Sequence, residues 1–273
     1  MNWRPLNLLA CAGVLAALSV AAAPSAHADP VVVGYFTDYN AGSTAPSGYI
    51  TLVGDTPVQI TDIGGANFGD YGKLFLLEAA NGTPTAGFLG SAGDLADFVN
   101  GGGLFMLHSR NVTQGTSDAA LLPGGGGITL VTVYGTNIDV NTPGTLVTNG
   151  PFGTIDDSTL DGGNWSSHGY ALVGTLPAGA VSILSDGDPT HSVAFYYPFG
   201  DGWVYYSTIP LDFYLGGAGN NPPGDAFRDI YTPNAITFVD SLATVPEPVS
   251  ALLFVGGLVG VAVSRRRRRA VLA

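Results

Sequence analysis

The stretch Ser91 to Arg110, Ser-Ala-Gly-Asp-Leu-Ala-Asp-Phe-Val-Asn-Gly-Gly-Gly-Leu-Phe-Met-Leu-His-Ser-Arg, decides the fold. Ser91 and Asp94 have the spacing of a helix capping box. Leu95, Phe98 and Val99 then share one helical face. Asn100 and the three glycines after it tolerate left-handed backbone angles and stop the helix. Leu104 to Leu107 is a short apolar run of the kind that forms a strand covered on both faces, and it ends abruptly in His108, Ser109 and Arg110. Helix, glycine turn, buried strand and polar tip make half of an α/β unit. In open α/β sheets ligands bind beyond the carboxyl ends of the strands, so this tip is the first place to look for a site.

Two more apolar runs lie upstream. Val31 to Phe36 predicts a first strand with Asp38 just past its end, and Lys73 to Leu77 predicts a second that ends at Glu78. Between them no strong helical period is present, and the reading is loop with short strands. Pro123 to Gly127 lacks the Lys-Ser/Thr that a phosphate-binding loop needs and reads as a flexible turn. From Ile128 onward strands dominate: Ile128 to Tyr134, Val181 to Leu184, Ser192 to Tyr197 and Trp203 to Ser207, with a hairpin loop at Pro198 to Gly202. Asp225 to Leu242 leans to helix, with Thr232 as cap and Pro233 in the first helical position. The expected architecture is α/β. It is one flavodoxin-like or amidotransferase-like domain over residues 29–244, with a mostly parallel central sheet, Leu104 to Leu107 as a central strand and a strand-rich second half. A C-terminal transmembrane helix follows.

Charge narrows the function. From Asp29 to Thr244 the chain has 20 acidic residues against Lys73, Arg110 and Arg228, a net charge of −17. Nucleic-acid binding needs basic patches that neutralise phosphates, and none is present. The single cysteine, Cys11, lies in the N-terminal apolar segment. Once that segment is removed, disulfides, thiolate metal sites and cysteine nucleophiles are all excluded.

Both termini carry export signals. Arg4, the apolar run Leu8 to Ala23 and Ala26-His27-Ala28 have the three parts of a secretory signal peptide, residues 1–28, cleaved between Ala28 and Asp29. At the other end, Pro246, Glu247 and Pro248 precede the uncharged, mostly apolar stretch Val249 to Ser264, and Arg265, Arg266, Arg267, Arg268 and Arg269 follow directly. A helix of that length spans about 24 Å, a little short of the ~30 Å hydrocarbon core. Its arginines belong on the cytoplasmic side, which leaves the acidic body outside the inner membrane.

Residues 245–269 resemble the bacterial PEP-CTERM sorting signal, a Pro-Glu-Pro motif, an apolar helix and an arginine cluster in that order. The resemblance implies passage through the Sec export machinery, cleavage by an exosortase, transient anchoring in the inner membrane of a Gram-negative bacterium, and a final place at the cell surface or in an exopolysaccharide matrix. The body carries a second resemblance. Asp94 to His108, with its helix, triple glycine and strand ending in Leu-His, looks like the trehalose-utilisation (ThuA-like) branch of the class I glutamine amidotransferase-like fold. Asn164 to Tyr170, Gly200 to Ser207 and Ile209 to Asp212 are similar to later parts of such domains. Amidotransferases place a cysteine nucleophile after the strand that ends here at Leu107. This chain has His108 and Ser109 there, so thiol-based glutaminase chemistry is excluded.

The candidate ligand-binding residues are therefore Asp38, Glu78, His108 and Arg110, each at or just beyond the end of an expected parallel strand. Together they could hold hydroxyl-rich or anionic ligands. Ser109 lacks the G-x-S-x-G elbow of a serine nucleophile. His168 and His191 have no metal-ligand spacing. No cofactor is implied, although Asp186-Gly187-Asp188 and Asp156-Asp157 are segments that a loosely held calcium ion could use. Two function classes follow: a non-catalytic surface or matrix protein that binds a glycan or a protein partner, and an extracellular polysaccharide hydrolase using His108 with Glu78 or Asp38.

Overall fold

The computed structural model describes residues 30–38, 45–79, 84–110, 112, 116–163, 165–216 and 223–243. The expected signal peptide with its cleavage point, and the expected sorting signal with its apolar helix Val249 to Ser264, lie outside them. Among the described residues no helix is long and apolar enough to cross a membrane.

The elements in chain order are β1 (Val32–Thr37), α1 (Ala45–Leu52), β2 (Thr56–Gln59), β3 (Lys73–Glu78), α2 (Ala86–Gly90), α3 (Ala92–Asn100), β4 (Leu104–Ser109), α4 (Thr116–Leu121), β5 (Leu130–Gly135), β6 (Asp139–Val140), β7 (Asn149–Gly150), β8 (Gly153–Thr154), β9 (Ser167–Leu172), β10 (Val181–Ser185), β11 (His191–Ser192), β12 (Ala194–Phe199), β13 (Gly202–Ser207), α5 (Leu211–Leu215), α6 (Gly224–Ala226) and α7 (Thr232–Ala243). The main sheet has eight strands in the order β2-β1-β3-β4-β13-β12-β10-β6. Pairing is parallel from β2 through β13 and antiparallel from β13 to β6. The fold is thus mixed α/β with a large, mostly parallel sheet, and its second half is rich in strands. A smaller antiparallel sheet, β11-β9-β5, stands beside it.

β4 sits between β3 and β13, and all six of its residues are buried. Leu104 and Met106 face a core built with α1, α5 and α7, whereas Phe105 and Leu107 face one built with α2, α3 and α4. With helices covering both faces, no polar alternation is required, which is why the run reads as continuously apolar.

The glycine stop works as expected. Gly102 has φ 100°, which a side chain would oppose. A Cβ on Gly103 would collide with the Phe98 ring. The capping box does not form. Ser91 is itself helical in conformation because α2 runs into α3 almost without a break, and its Oγ donates to the carbonyls of Gly87 (3.0 Å) and Ile63 (3.1 Å) instead. A side-chain cap needs an extended residue at that position.

Two other expectations are corrected and two are sharpened. The region read as loop holds α1, in which only Pro46 and Ile50 are buried; so narrow a contact leaves no helical period to detect. Pro123 to Gly127 is fastened, since Tyr197 Oη donates to the Pro123 carbonyl at 2.8 Å. The β12–β13 hairpin is tighter than expected, with Phe199 pairing Gly202 and Gly200 at φ 58°. Thr232 is the first residue of α7 but does not cap it, because its own backbone is already helical (φ −59°, ψ −54°). Its N–H bonds the Phe227 carbonyl, closing a π-helical turn over Phe227–Tyr231 that leads straight into α7. Pro233 has no N–H to give the carbonyl four residues back, and the wider turn absorbs that loss.

Candidate functional site

The parallel strands do bring the predicted residues to one edge, but not to one face. In register, Leu77 pairs with His108 and Glu78 with Ser109. Paired residues in neighbouring strands share a face and successive residues alternate. His108 therefore projects with Leu77 and Met106 toward α7, while Glu78 and Ser109 project with Leu76 and Leu107 toward α2 and α3. The convergent pocket of Asp38, Glu78 and His108 is not formed, and neither is an acid–base pairing of His108 with Glu78 or Asp38.

Each of these groups is engaged where it stands. Asp38 is buried, and its two carboxylate oxygens accept from the backbone N–H (2.9 Å) and hydroxyl (2.5 Å) of Thr85, the residue that enters α2. Glu78 is fully buried and accepts from the Ser109 hydroxyl at 3.3 Å, while its carbonyl takes the Arg110 N–H at 2.8 Å. His108 is only 1% exposed. Its Nε2 lies 2.9 Å from the Tyr231 hydroxyl, which lies 3.0 Å from that of Tyr205, and Phe75 packs edge-on against the ring. Burial lowers its pKa from 6.5 to about 3, so the imidazole is neutral at physiological pH.

Arg110 turns outward. Its guanidinium meets Asp212 at 2.9 Å and stands 5.8 Å from the centre of the Phe213 ring. Burial raises the Asp212 pKa, and the Arg110 charge opposes that rise. The pair is under-satisfied, because Arg110 Nε and Asp212 Oδ1 have no hydrogen-bond partner.

Beside this pair lies a ledge that no sequence motif signalled. His168, in β9, gives its N–H to the Thr208 carbonyl (2.9 Å), and its Nδ1 bonds the Arg110 carbonyl, so the small sheet is pinned across the tips of β4 and β13. Tyr134 rests edge-on against His168 with centroids 4.7 Å apart, and Trp165 lies 5.5 Å from Tyr134. Tyr134 is 55% and Trp165 46% exposed. Among the described residues Trp165 is the one non-glycine with positive φ, 66°, a conformation that costs a side-chain-bearing residue about 1–2 kcal/mol. Strain of this kind collects at functional sites. One sequence cue was available: Trp165 follows Asp161-Gly162-Gly163-Asn164, and an indole placed in such a turn segment is poorly placed for burial.

Two clefts open at the opposite, amino-terminal edge. One of about 760 Å³ is lined by Gly72, Asp94, Asp97, Phe98 and Gly103 among others. The other, of about 420 Å³, is lined by Val31, Asp55, Phe152 and Asp240 among others. None of Asp38, Glu78, His108 and Arg110 lines either. Asp156 and Asp188 bond the hydroxyls of Thr159 and Thr190 within their own turns, and among the described residues no group of three His, Cys, Asp or Glu is arranged around a metal position.

No family model and no curated protein matches the chain. Solved structures that resemble it include a cytoplasmic protein from Salmonella typhimurium (10% identity, TM-score 0.48, covering 77% of this chain and 98% of that one). An exo-β-1,4-mannosidase from Opitutaceae bacterium strain TAV5 has 11% identity and TM-score 0.48, and the match covers 78% of this chain but only 36% of the mannosidase. A protein described as one chain of a GMP synthase, from Thermoplasma acidophilum, has 13% identity and TM-score 0.43, covering 76% of this chain and 96% of that one. At these scores the likenesses assign neither an activity nor a ligand.

Proposed function

We propose that this chain is an exported, non-catalytic surface or matrix protein whose body binds a glycan through the Tyr134–Trp165 ledge. The observation that carries the reading is the exposed aromatic pair, with Trp165 held in strained backbone, on the same edge as the Arg110–Asp212 ion pair. Sugar rings present C–H faces that lie against aromatic surfaces, and their hydroxyls are read by fixed polar groups at the margin. The ledge stands at the carboxyl edge of the parallel strands, where α/β sheets place their ligands. A glycan array probed with the full chain tests this: the expected result is a set of bound saccharides lost in Trp165→Ala. An identical binding profile in the variant would refute it.

Export and sorting belong to the same proposal. The signal-peptide pattern of residues 1–28 and the three-part C-terminal signal of residues 245–269 support delivery through the Sec machinery to an exosortase and then to an exopolysaccharide matrix. The order β2-β1-β3-β4-β13 of the parallel half supports a flavodoxin-like or amidotransferase-like reading of the fold. Mass spectrometry of the native protein checks the sorting. A mature chain beginning at Asp29 and ending near Pro246 to Pro248 is expected, and an extracellular form still carrying Arg269 would contradict it.

A further inference from the structure

We propose that the smaller cleft at the amino-terminal edge of the sheet, where Asp55 and Asp240 meet, binds a small alkylammonium ion. The site is separate from the ledge and independent of it. The cleft has a volume of about 420 Å³, and its walls include Val31, Leu52, Val53 and Phe152. A largely apolar pocket of this size with a few convergent polar groups is the usual form of a small-molecule site. The polar groups here belong to the Lys73 triad. The Lys73 ammonium is fully buried, 2.7 Å from Asp55 and bonded also to Asp240. The two carboxylates are not equally engaged. Asp55 accepts from the Val31 N–H (3.1 Å) with one oxygen and from Lys73 with the other. Asp240 accepts from Lys73 with Oδ1. Its Oδ2 makes no hydrogen bond among the described residues and is not sealed from solvent, and the side chain is 20% exposed.

Charge sets the class of ligand. Two ionised carboxylates around one ammonium leave one negative charge uncompensated. Burial raises the Asp240 pKa, the Lys73 charge opposes that rise and the Asp55 charge adds to it, so a second cation at Oδ2 favours the ionised form. Among the described residues no other side chain supplies that cation, because Arg110 meets Asp212 and Arg228 meets Asp225. A ligand ammonium donates to Asp240 Oδ2 in a charge-assisted hydrogen bond. Its alkyl chain lies against the apolar walls, each buried methylene tightening binding by up to about fourfold. An anion is repelled by the same carboxylates, and a neutral alcohol gains the walls without the charge. The net charge of −17 between Asp29 and Thr244 attracts any cation to the body, so binding in the cleft has to be told apart from binding to the surface.

Isothermal titration calorimetry of the full-length chain at high salt, which screens the surface charges, makes that distinction. The probes are ammonium, methylammonium, ethylammonium, propylammonium and butylammonium ions, with 1-butanol and butyrate as the neutral and anionic counterparts. The expected result is butylammonium binding in about the millimolar range, weakening as the alkyl chain shortens, with 1-butanol at least about tenfold weaker and butyrate unbound. Asp240→Asn should weaken butylammonium by about tenfold, as the loss of one hydrogen bond to a charged group requires. Leu52 lines the cleft and is 56% exposed, so Leu52→Lys sets a rival ammonium at the mouth without disturbing the core and should weaken butylammonium as well. That variant keeps the test intact if Asp240→Asn fails to fold. Equal affinity for the parent and Leu52→Lys, or for ammonium and butylammonium, would mark the binding as attraction to the acidic surface and overturn the proposal. So would 1-butanol binding as tightly as butylammonium, because the carboxylates would then take no part.

Discussion

His108 and Glu78 lie on adjacent parallel strands one register step apart, yet they face opposite sides of the sheet, because His108 pairs with Leu77 and Glu78 pairs with Ser109. That single step separates an imidazole sealed in an aromatic core from a carboxylate on the α2–α3 side. It removes the pairing of His108 with Glu78 on which the hydrolase reading of the sequence relied.

His108 gives the body a defined acid sensitivity. Its folded pKa is lowered from 6.5 to about 3 by burial, so the unfolded chain binds a proton that the folded one refuses. Stability is fully present above pH 6.5 and falls as pH drops toward 3. By pH 4 the loss from this residue is about 3 kcal/mol. Urea midpoints of the parent and His108→Phe at neutral pH and at pH ~4 check this. The variant is less stable at neutral pH but loses less on acidification; an equal acid loss in both would refute it.

Lys73 is fully buried, with its ammonium 2.7 Å from Asp55 and bonded also to Asp240. It ties the start of β3 to the turn before β2 and to α7. Lys73→Met removes the cation and leaves two carboxylates facing each other. A loss of about 3 kcal/mol is expected, the lower end for breaking a buried pair, since Asp240 remains 20% exposed. Chemical denaturation measures it, and a loss below about 1 kcal/mol would place the triad among weak surface pairs.

Tyr197→Phe removes the hydroxyl that holds the Pro123 carbonyl. The expected cost is about 1–2 kcal/mol. Amide hydrogen exchange at Gly124 to Gly127 should accelerate more than exchange in β12 itself. Uniform acceleration along the chain would mean that the bond does not fasten this turn in particular.

Trp165→Gly separates stability from binding. Glycine accepts the φ of 66° without strain, so the variant should gain up to about 1 kcal/mol while losing the ledge. A large drop in melting temperature would show that the indole serves packing instead.

Much of the fold is legible in local sequence, because it rests on local chemistry. Leu104 to Leu107 reads as a doubly covered strand because a continuous apolar run leaves no face for water, and Gly101 to Gly103 end α3 because Gly102 must take a positive φ. β3, β12 and β13 follow from their own apolar residues in the same way. α1 was illegible because only two of its residues are buried, and the capping box failed because α2, invisible to spacing, occupies the approach to Ser91.

The site is where the sequence stops deciding. It placed Asp38, Glu78, His108 and Arg110 near strand ends, but which face each takes depends on register, and one residue reverses it. Tyr134, the segment Trp165 to His168 and Asp212 lie far apart in the chain. Only the docking of the small sheet onto Arg110 and Thr208 brings them together. Both acceptors in that contact are backbone carbonyls, which every residue carries, and nothing in the spacing of the chain directs the His168 ring to the one on Arg110.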